Sequence, residues 1–290
     1  MEISASMVKE LREKTGAGML DCKKALSECN GDMDASIDYL REKGITKAAK
    51  KADRIAAEGL SNIYINGNNA VVVELNSETD FVAKNAEFSA LLDTIGNSLL
   101  NSDAKSLEEG LEVNADGETI NTLIVNATAK IGEKISLRRF EKITKSDSEV
   151  FGSYLHMGGK ISSLVVVKGS NEEAAKDVAM QAAAMRPQFT TIKSVSKEAL
   201  EHEKSVIKEQ VINEGKKPEF ADKIIEGRIN KFFEETVLTE QAFIKDSSLK
   251  VKDYLKNNDC ELISLTRYEV GEGMEKRNDD FASEVMSQIK

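Results

Sequence analysis

The side chains that could do chemistry are few. The chain has two histidines, His156 and His202, and three cysteines, Cys22, Cys29 and Cys260, with no C-x-x-C spacing. A histidine-based zinc site is therefore hard to assemble. Cys22 and Cys29 stand seven residues apart and can share a helix face, where small buried side chains are the ordinary reading. A Cys22–His156 nucleophile pair has no spacing to support it. Neither G-x-x-x-x-G-K-[ST] nor G-x-G-x-x-G after a strand occurs, so no nucleotide-phosphate cradle is visible. Carboxylates are everywhere and single out no acid–base pair. The sequence does not read as an enzyme, and it supplies no metal ligands and no cofactor site.

One segment stands out physically. After an apolar run at Ala70–Leu75 comes Asn76-Ser77-Glu78-Thr79-Asp80-Phe81-Val82-Ala83-Lys84-Asn85. Thr79 or Asp80 can start a turn or a helix. In one reading Asp80 is a cap and Phe81 packs beneath the next helix. In the other, Phe81 is a rigid anchor for a partner's pocket and Asp80 is its directional polar neighbour.

The surrounding chain has to position that segment. Its 290 residues suit two or three domains. Forty Lys+Arg against fifty Asp+Glu give a net charge of -10. The charge is uneven: residues 1–55 carry eleven Lys/Arg against ten Asp/Glu, the remainder 29 against 40. Lys43, Lys47, Lys50, Lys51 and Arg54 form a basic cluster that reads as a solvated helical linker. The acidic remainder disfavours direct nucleic-acid binding. No apolar stretch is long enough for a membrane span, and the first residues carry charges where a secretory apolar region would be. Few cysteines, odd in number, fit a reducing cytoplasm.

Residues 1–55 read as three short helices and a basic linker, with Ser4 or Ser6 and Asp32 as caps and Leu20 and Leu26 facing inward. Residues 56–147 then read as a hairpin turning at Asn66-Gly67, helices near Asn85–Leu100 and Ile120–Ile131, and a closing strand at Ile135–Ile143. The order recurs over 148–275: a hairpin at Val150–His156 and Ile161–Val167, a helix at Glu172–Met185, and a closing strand at Glu261–Val270. The closing strands themselves read alike, EKISLRRFEKI against CELISLTRYEV. The expectation is a duplicated α+β core of antiparallel sheets with helices. An antiparallel helical hairpin is inserted at about 197–236, with stripes Leu200, Ile207, Val211 and Ile225, Ile229, Phe232. A final helix is expected within 276–290, at about Phe281–Ile289.

The sequence closely resembles the bacterial elongation factor Ts family. Two signatures carry the resemblance: Leu11-Arg12-Glu13-Lys14-Thr15-Gly16-Ala17-Gly18-Met19-Leu20-Asp21-Cys22-Lys23-Lys24-Ala25-Leu26 and Thr79-Asp80-Phe81-Val82-Ala83-Lys84-Asn85. Ala129-Lys130-Ile131-Gly132-Glu133, Gly152-Ser153-Tyr154 with His156, Phe189, Glu226-Gly227-Arg228 and Glu269-Val270-Gly271-Glu272-Gly273 follow in family order. The chain departs at Leu20, where the family often has Met, and at Lys245, in a stretch that tends to be apolar.

The resemblance implies a ubiquitin-associated-like N-terminal module, a coiled-coil hairpin, and exchange of guanine nucleotide on elongation factor Tu. It implies that Asp80 and Phe81, with Thr79 and Val82, enter the partner's nucleotide domain, supported by Ile131 and Gly132. It also implies that His156 touches another domain of the partner, and that Arg12, Met19, Leu20 and Lys23 dock the N-terminal helices. A non-enzymatic adaptor or chaperone working through its helical modules is the competing class, and a homodimer stays open.

Overall fold

Three helices open the chain: α1 (Ala5–Thr15), α2 (Met19–Glu28) and α3 (Met33–Ala49). The structure, a computed structural model, describes residues 3–15, 17–215 and 218–275. The helix expected near residue 281 lies outside them. The Met7 amide donates to the Ser4 hydroxyl at 3.3 Å, and the Ala35 amide to the Asp32 carboxylate at 2.9 Å, satisfying donors that a helix start leaves unpaired. Val8, Leu11, Cys22, Ala25 and Leu26 form the shared core with Met33, Ile37 and Leu40. One expectation fails here: Leu26 is buried, but Leu20 is 83% exposed. The small Cys22 and Ala25 take the inward face, where they allow close approach, and the larger Met19 and Leu20 are left outside.

β1 (Glu58–Asn66) and β2 (Asn69–Ser77) form the first hairpin, with Gly67 at φ +57° in its turn. The chain continues through α4 (Asp80–Ala83), α5 (Ala86–Leu100) and α6 (Leu107–Leu111). A short pairing of β3 (Asn114–Ala115) with β4 (Glu118–Thr119) follows, then α7 (Ile120–Ile131) and β5 (Ser136–Thr144). The sheet order is β1-β2-β5. Thr144 meets Asn69 while Arg138 meets Glu74, so β5 runs antiparallel to β2. Alternation sends Val71, Val73 and Leu75 to one face, against Phe88, Leu92 and Ile95 of α5 and Ile120 and Ile124 of α7.

The other face of β2 carries Glu74, fully buried. Its carboxylate accepts Arg138 at 2.9 Å, Arg139 at 2.6 Å and the Gly271 amide at 2.9 Å, the pairing a buried charge requires. α3 meets α7 at Gly44, where a Cβ would lie 3.2 Å from that of Ala129. Arg41 bonds Glu118 at 2.8 Å beside it. This contact explains why α3 runs on to Ala49, so part of the basic cluster is ordinary helix.

A second sheet follows. β6 (Glu149–His156) pairs antiparallel with β7 (Ile161–Lys168), from Glu149 opposite Lys168 to His156 opposite Ile161. α8 (Glu172–Met185), α9 (Lys197–Asn213) and α10 (Pro218–Thr236) come next. After them lie β8 (Ala242–Phe243) paired with β9 (Asp246–Lys250), α11 (Val251–Asn257) and β10 (Glu261–Glu269). The order is β10-β7-β6. In both sheets the second hairpin strand is central and the closing strand lies on its far side, so the two share one strand order in an α+β fold. Val165 and Val167 pack against Ala175, Val178, Ala179 and Ala182 of α8. Gly152 admits α8 to β6, because a Cβ there would lie 2.1 Å from the Ala175 carbonyl oxygen.

α9 and α10 pack on each other through Ile207, Val211 and Ile229, with Leu200, Ile225 and Phe233 alongside. Arg228 bonds Glu214 at 2.7 Å. Phe233, not Phe232, joins the seam. Phe232 instead turns toward Phe189, with ring centroids 6.4 Å apart. The chain divides into two compact units. One holds the residues up to Tyr64, Val71–Lys142 and the segment from Glu269; the other holds Ile65–Ala70 and Ile143–Tyr268.

Candidate functional site

In the first unit, β2 ends at Ser77 and α5 begins at Ala86. The eight residues between them carry the Phe81 turn. Thr79, in extended conformation, caps α4 by accepting the Val82 amide on its hydroxyl at 3.4 Å. The cap is therefore Thr79 rather than Asp80. Asn85 caps α5 in turn, accepting the Glu87 amide at 2.9 Å. Two caps in close succession rotate the chain so that Phe88 is fully buried while Phe81 is 81% exposed. An aromatic this exposed contributes little to the core.

Asp80 bonds Lys84 at 2.6 Å along the same short helix. Val82 and Ile131 both lean on the first core. Together with Phe81, Asn85, Glu87 and Lys130 they line a shallow groove of about 490 Å³. Lys130 and Glu87 close one side at 3.0 Å. Gly132 ends α7 at φ +91°, a conformation only glycine adopts without strain. The structure thus brings Asp80, Phe81, Val82, Ile131 and Gly132 together. Thr79 faces inward and serves the turn itself.

The helical residues picked out at the N-terminus are all exposed: Arg12 on α1, and Met19, Leu20 and Lys23 on the first turns of α2. Met19 and Lys23 share one face at i, i+4. Met19 is 61% exposed beside the still more exposed Leu20, so an apolar pair faces outward. Cys22 points the other way, into the bundle. Burial pushes its thiol up, which disfavours the reactive thiolate.

His156 lies in the second unit, at the exposed end of β6. Its Nδ1 is 3.5 Å from the Tyr154 hydroxyl. Met157, Gly158 and Gly159 all take positive φ in the turn that follows, leaving Met157 exposed. Lys245 is tied to Asp177 at 2.6 Å, next to buried Phe243. Asp177 also accepts from Tyr254 at 2.8 Å; burial, then that bond, pushes the Tyr254 phenol up to about 12. Among the described residues no group of three or more His, Cys, Asp or Glu could hold a metal ion, and no helix is long and apolar enough to cross a membrane.

A family model described as Elongation factor TS matches residues 78–272. The chain belongs to the elongation factor Ts family. Membership makes it a translation elongation factor. The residues matched to the elongation factor Ts family begin at the Phe81 turn and take in Ile131, Gly132 and His156, while the N-terminal helices lie outside them.

Two residues of this family member escaped the sequence reading. Glu133 receives both the amide and the hydroxyl of Thr79, at 3.0 and 2.7 Å. Glu78 accepts the Lys134 amide at 2.6 Å. Glu133 ends the Ala129-Lys130-Ile131-Gly132-Glu133 motif, but no spacing rule connects it with a residue 54 positions away.

Proposed function

We propose that this protein acts in the cytoplasm by binding elongation factor Tu, GDP-bound and nucleotide-free, and speeding release of GDP so that GTP can bind. Phe81 and Asp80 enter the partner's nucleotide domain and disturb its magnesium and phosphate region. Ile131 and Gly132 support that contact, and His156 touches another domain. Arg12, Met19, Leu20 and Lys23 place the N-terminal helices on the partner, α9 and α10 act as a coiled-coil arm, and the N-terminal helices serve as a ubiquitin-associated-like module.

No catalytic acid, base or cofactor is needed. A factor that binds the nucleotide-free partner more tightly than the nucleotide-bound one must, by reciprocity, weaken nucleotide binding by the same factor. A wedge supplies that difference when its pocket forms only as the phosphate-binding region moves. The observation that carries the reading is Phe81, an aromatic 81% exposed on a capped one-turn helix in a chain of this family. The test is substoichiometric addition to elongation factor Tu loaded with fluorescent GDP. Repeated turnover of release supports the proposal; release at the spontaneous rate refutes it.

A further inference from the structure

α4 has four residues and one turn, too short to be stable alone. What holds it is a pair of carboxylates that cross between two loops. From the loop after α7, Glu133 takes both the amide and the hydroxyl of Thr79, at 3.0 and 2.7 Å. That fixes the Thr79 rotamer whose oxygen accepts the Val82 amide. From the turn itself, Glu78 reaches the other way, to the Lys134 amide at 2.6 Å and to Arg54 at 3.2 Å. Its side chain is only 6% exposed. The turn after α3 closes the brace. Lys134 donates to the Ala52 and Arg54 carbonyls at 2.5 and 3.0 Å, and Lys51 donates to the Gly132 carbonyl. Gly132, at positive φ, lets the chain leave α7 in the direction that aims Glu133 at Thr79.

Charge-assisted bonds of this kind are stronger than neutral ones, and a two-point grip on one residue fixes its orientation. They leave Phe81 and Asp80 as the exposed end of a rigid turn. We infer that Glu133, seconded by Glu78, is a positioning residue: it holds the Phe81 turn in its partner-ready conformation before the partner arrives. A turn ordered in advance spares the complex the conformational entropy of ordering it on contact. This inference rests on the reading of Phe81 as the wedge.

The test is a double-mutant cycle on the full chain, with fluorescent GDP release from elongation factor Tu measured over a range of factor concentrations. Glu133→Ala should lower stimulation roughly tenfold, the equivalent of leaving about one residue to be ordered on binding. Glu133→Gln, which keeps an acceptor for the amide and a partner for the hydroxyl, should retain most of it. In a Phe81→Ala background Glu133→Ala should add much less than it costs alone, because only Asp80 is then left for it to position. Amide exchange at Thr79 and Val82 in the free protein should quicken in Glu133→Ala. If that variant is poorly folded, Thr79→Val must reproduce the loss.

Undiminished stimulation by Glu133→Ala beside an impaired Phe81→Ala overturns the positioning role alone, as does full additivity of the two losses or unchanged amide exchange. An unimpaired Phe81→Ala overturns the wedge and this inference with it.

Discussion

The two sheets share strand order but join their central strand to the next helix differently. In the second, three residues link β7 to α8, and Asn171 caps the helix at once by accepting the Ala174 amide. In the first, eight residues link β2 to α5 and carry the Phe81 turn. The outer faces of the central strands differ as well. β2 presents Glu74, gripped by two arginines, where β7 presents the apolar Leu164 and Val166. The helix meets the sheet through a glycine on the strand in one case, Gly152, and on the helix in the other, Gly96 beneath the Tyr64 ring. A common architecture thus leaves its connections free to diverge, and the exposed Phe81 sits on a connection. Binding residues are often placed on loops that a rigid scaffold positions, and the proposed wedge would follow that pattern.

The largest effect should come from the paired charge. Glu74→Ala removes the buried acceptor that Arg138, Arg139 and the Gly271 amide share, and should cost roughly 3 kcal/mol in urea unfolding. A loss below about 1 kcal/mol would show that the outer face of β2 needs no buried carboxylate. The glycines come next. Gly152→Val drives a side chain into the Ala175 backbone and should cost at least about 1–3 kcal/mol. Gly96→Ala should cost less, since the obstacle is the Tyr64 ring, a side chain held by Asp93 at 2.8 Å. Equal losses in thermal melts would erase the contrast. The smallest effect should follow trimming of the helical hairpin over 201–230, which spares the Phe189–Phe232 contact. GDP release should stay within about threefold, well under 1 kcal/mol. Abolished release in a folded, trimmed protein would move the function to the second unit's insertion.

Strong periodicity and turn chemistry made most elements legible. Ile120, Ile124 and Ile131 mark α7, Asn66-Gly67 marks the first hairpin, and α8 runs over Glu172–Met185 as read. Local patterns failed where distant contacts decide. Leu20 is among the largest apolar side chains of its helix, yet the small Cys22 and Ala25 take the inward face. α3 continues through Gly44 and its charged neighbours because Ala129 meets it. A one-turn helix such as α4 has no period to detect. At the site, Phe81 and Asp80 could be singled out but offered two opposite readings, because exposure depends on which residue caps the turn. Thr79 does so, under the control of a carboxylate 54 residues on.

The most direct measurement is Phe81→Ala, assayed for both melting of the free protein and GDP release from elongation factor Tu. An exposed wedge predicts a melting midpoint within about 2 °C of the parent. Stimulated release should then fall about thirtyfold or more, the 2 kcal/mol of an interfacial hot spot. A stability loss of about 3–5 kcal/mol, as for a buried aromatic, or a stable variant with undiminished release, would contradict the account.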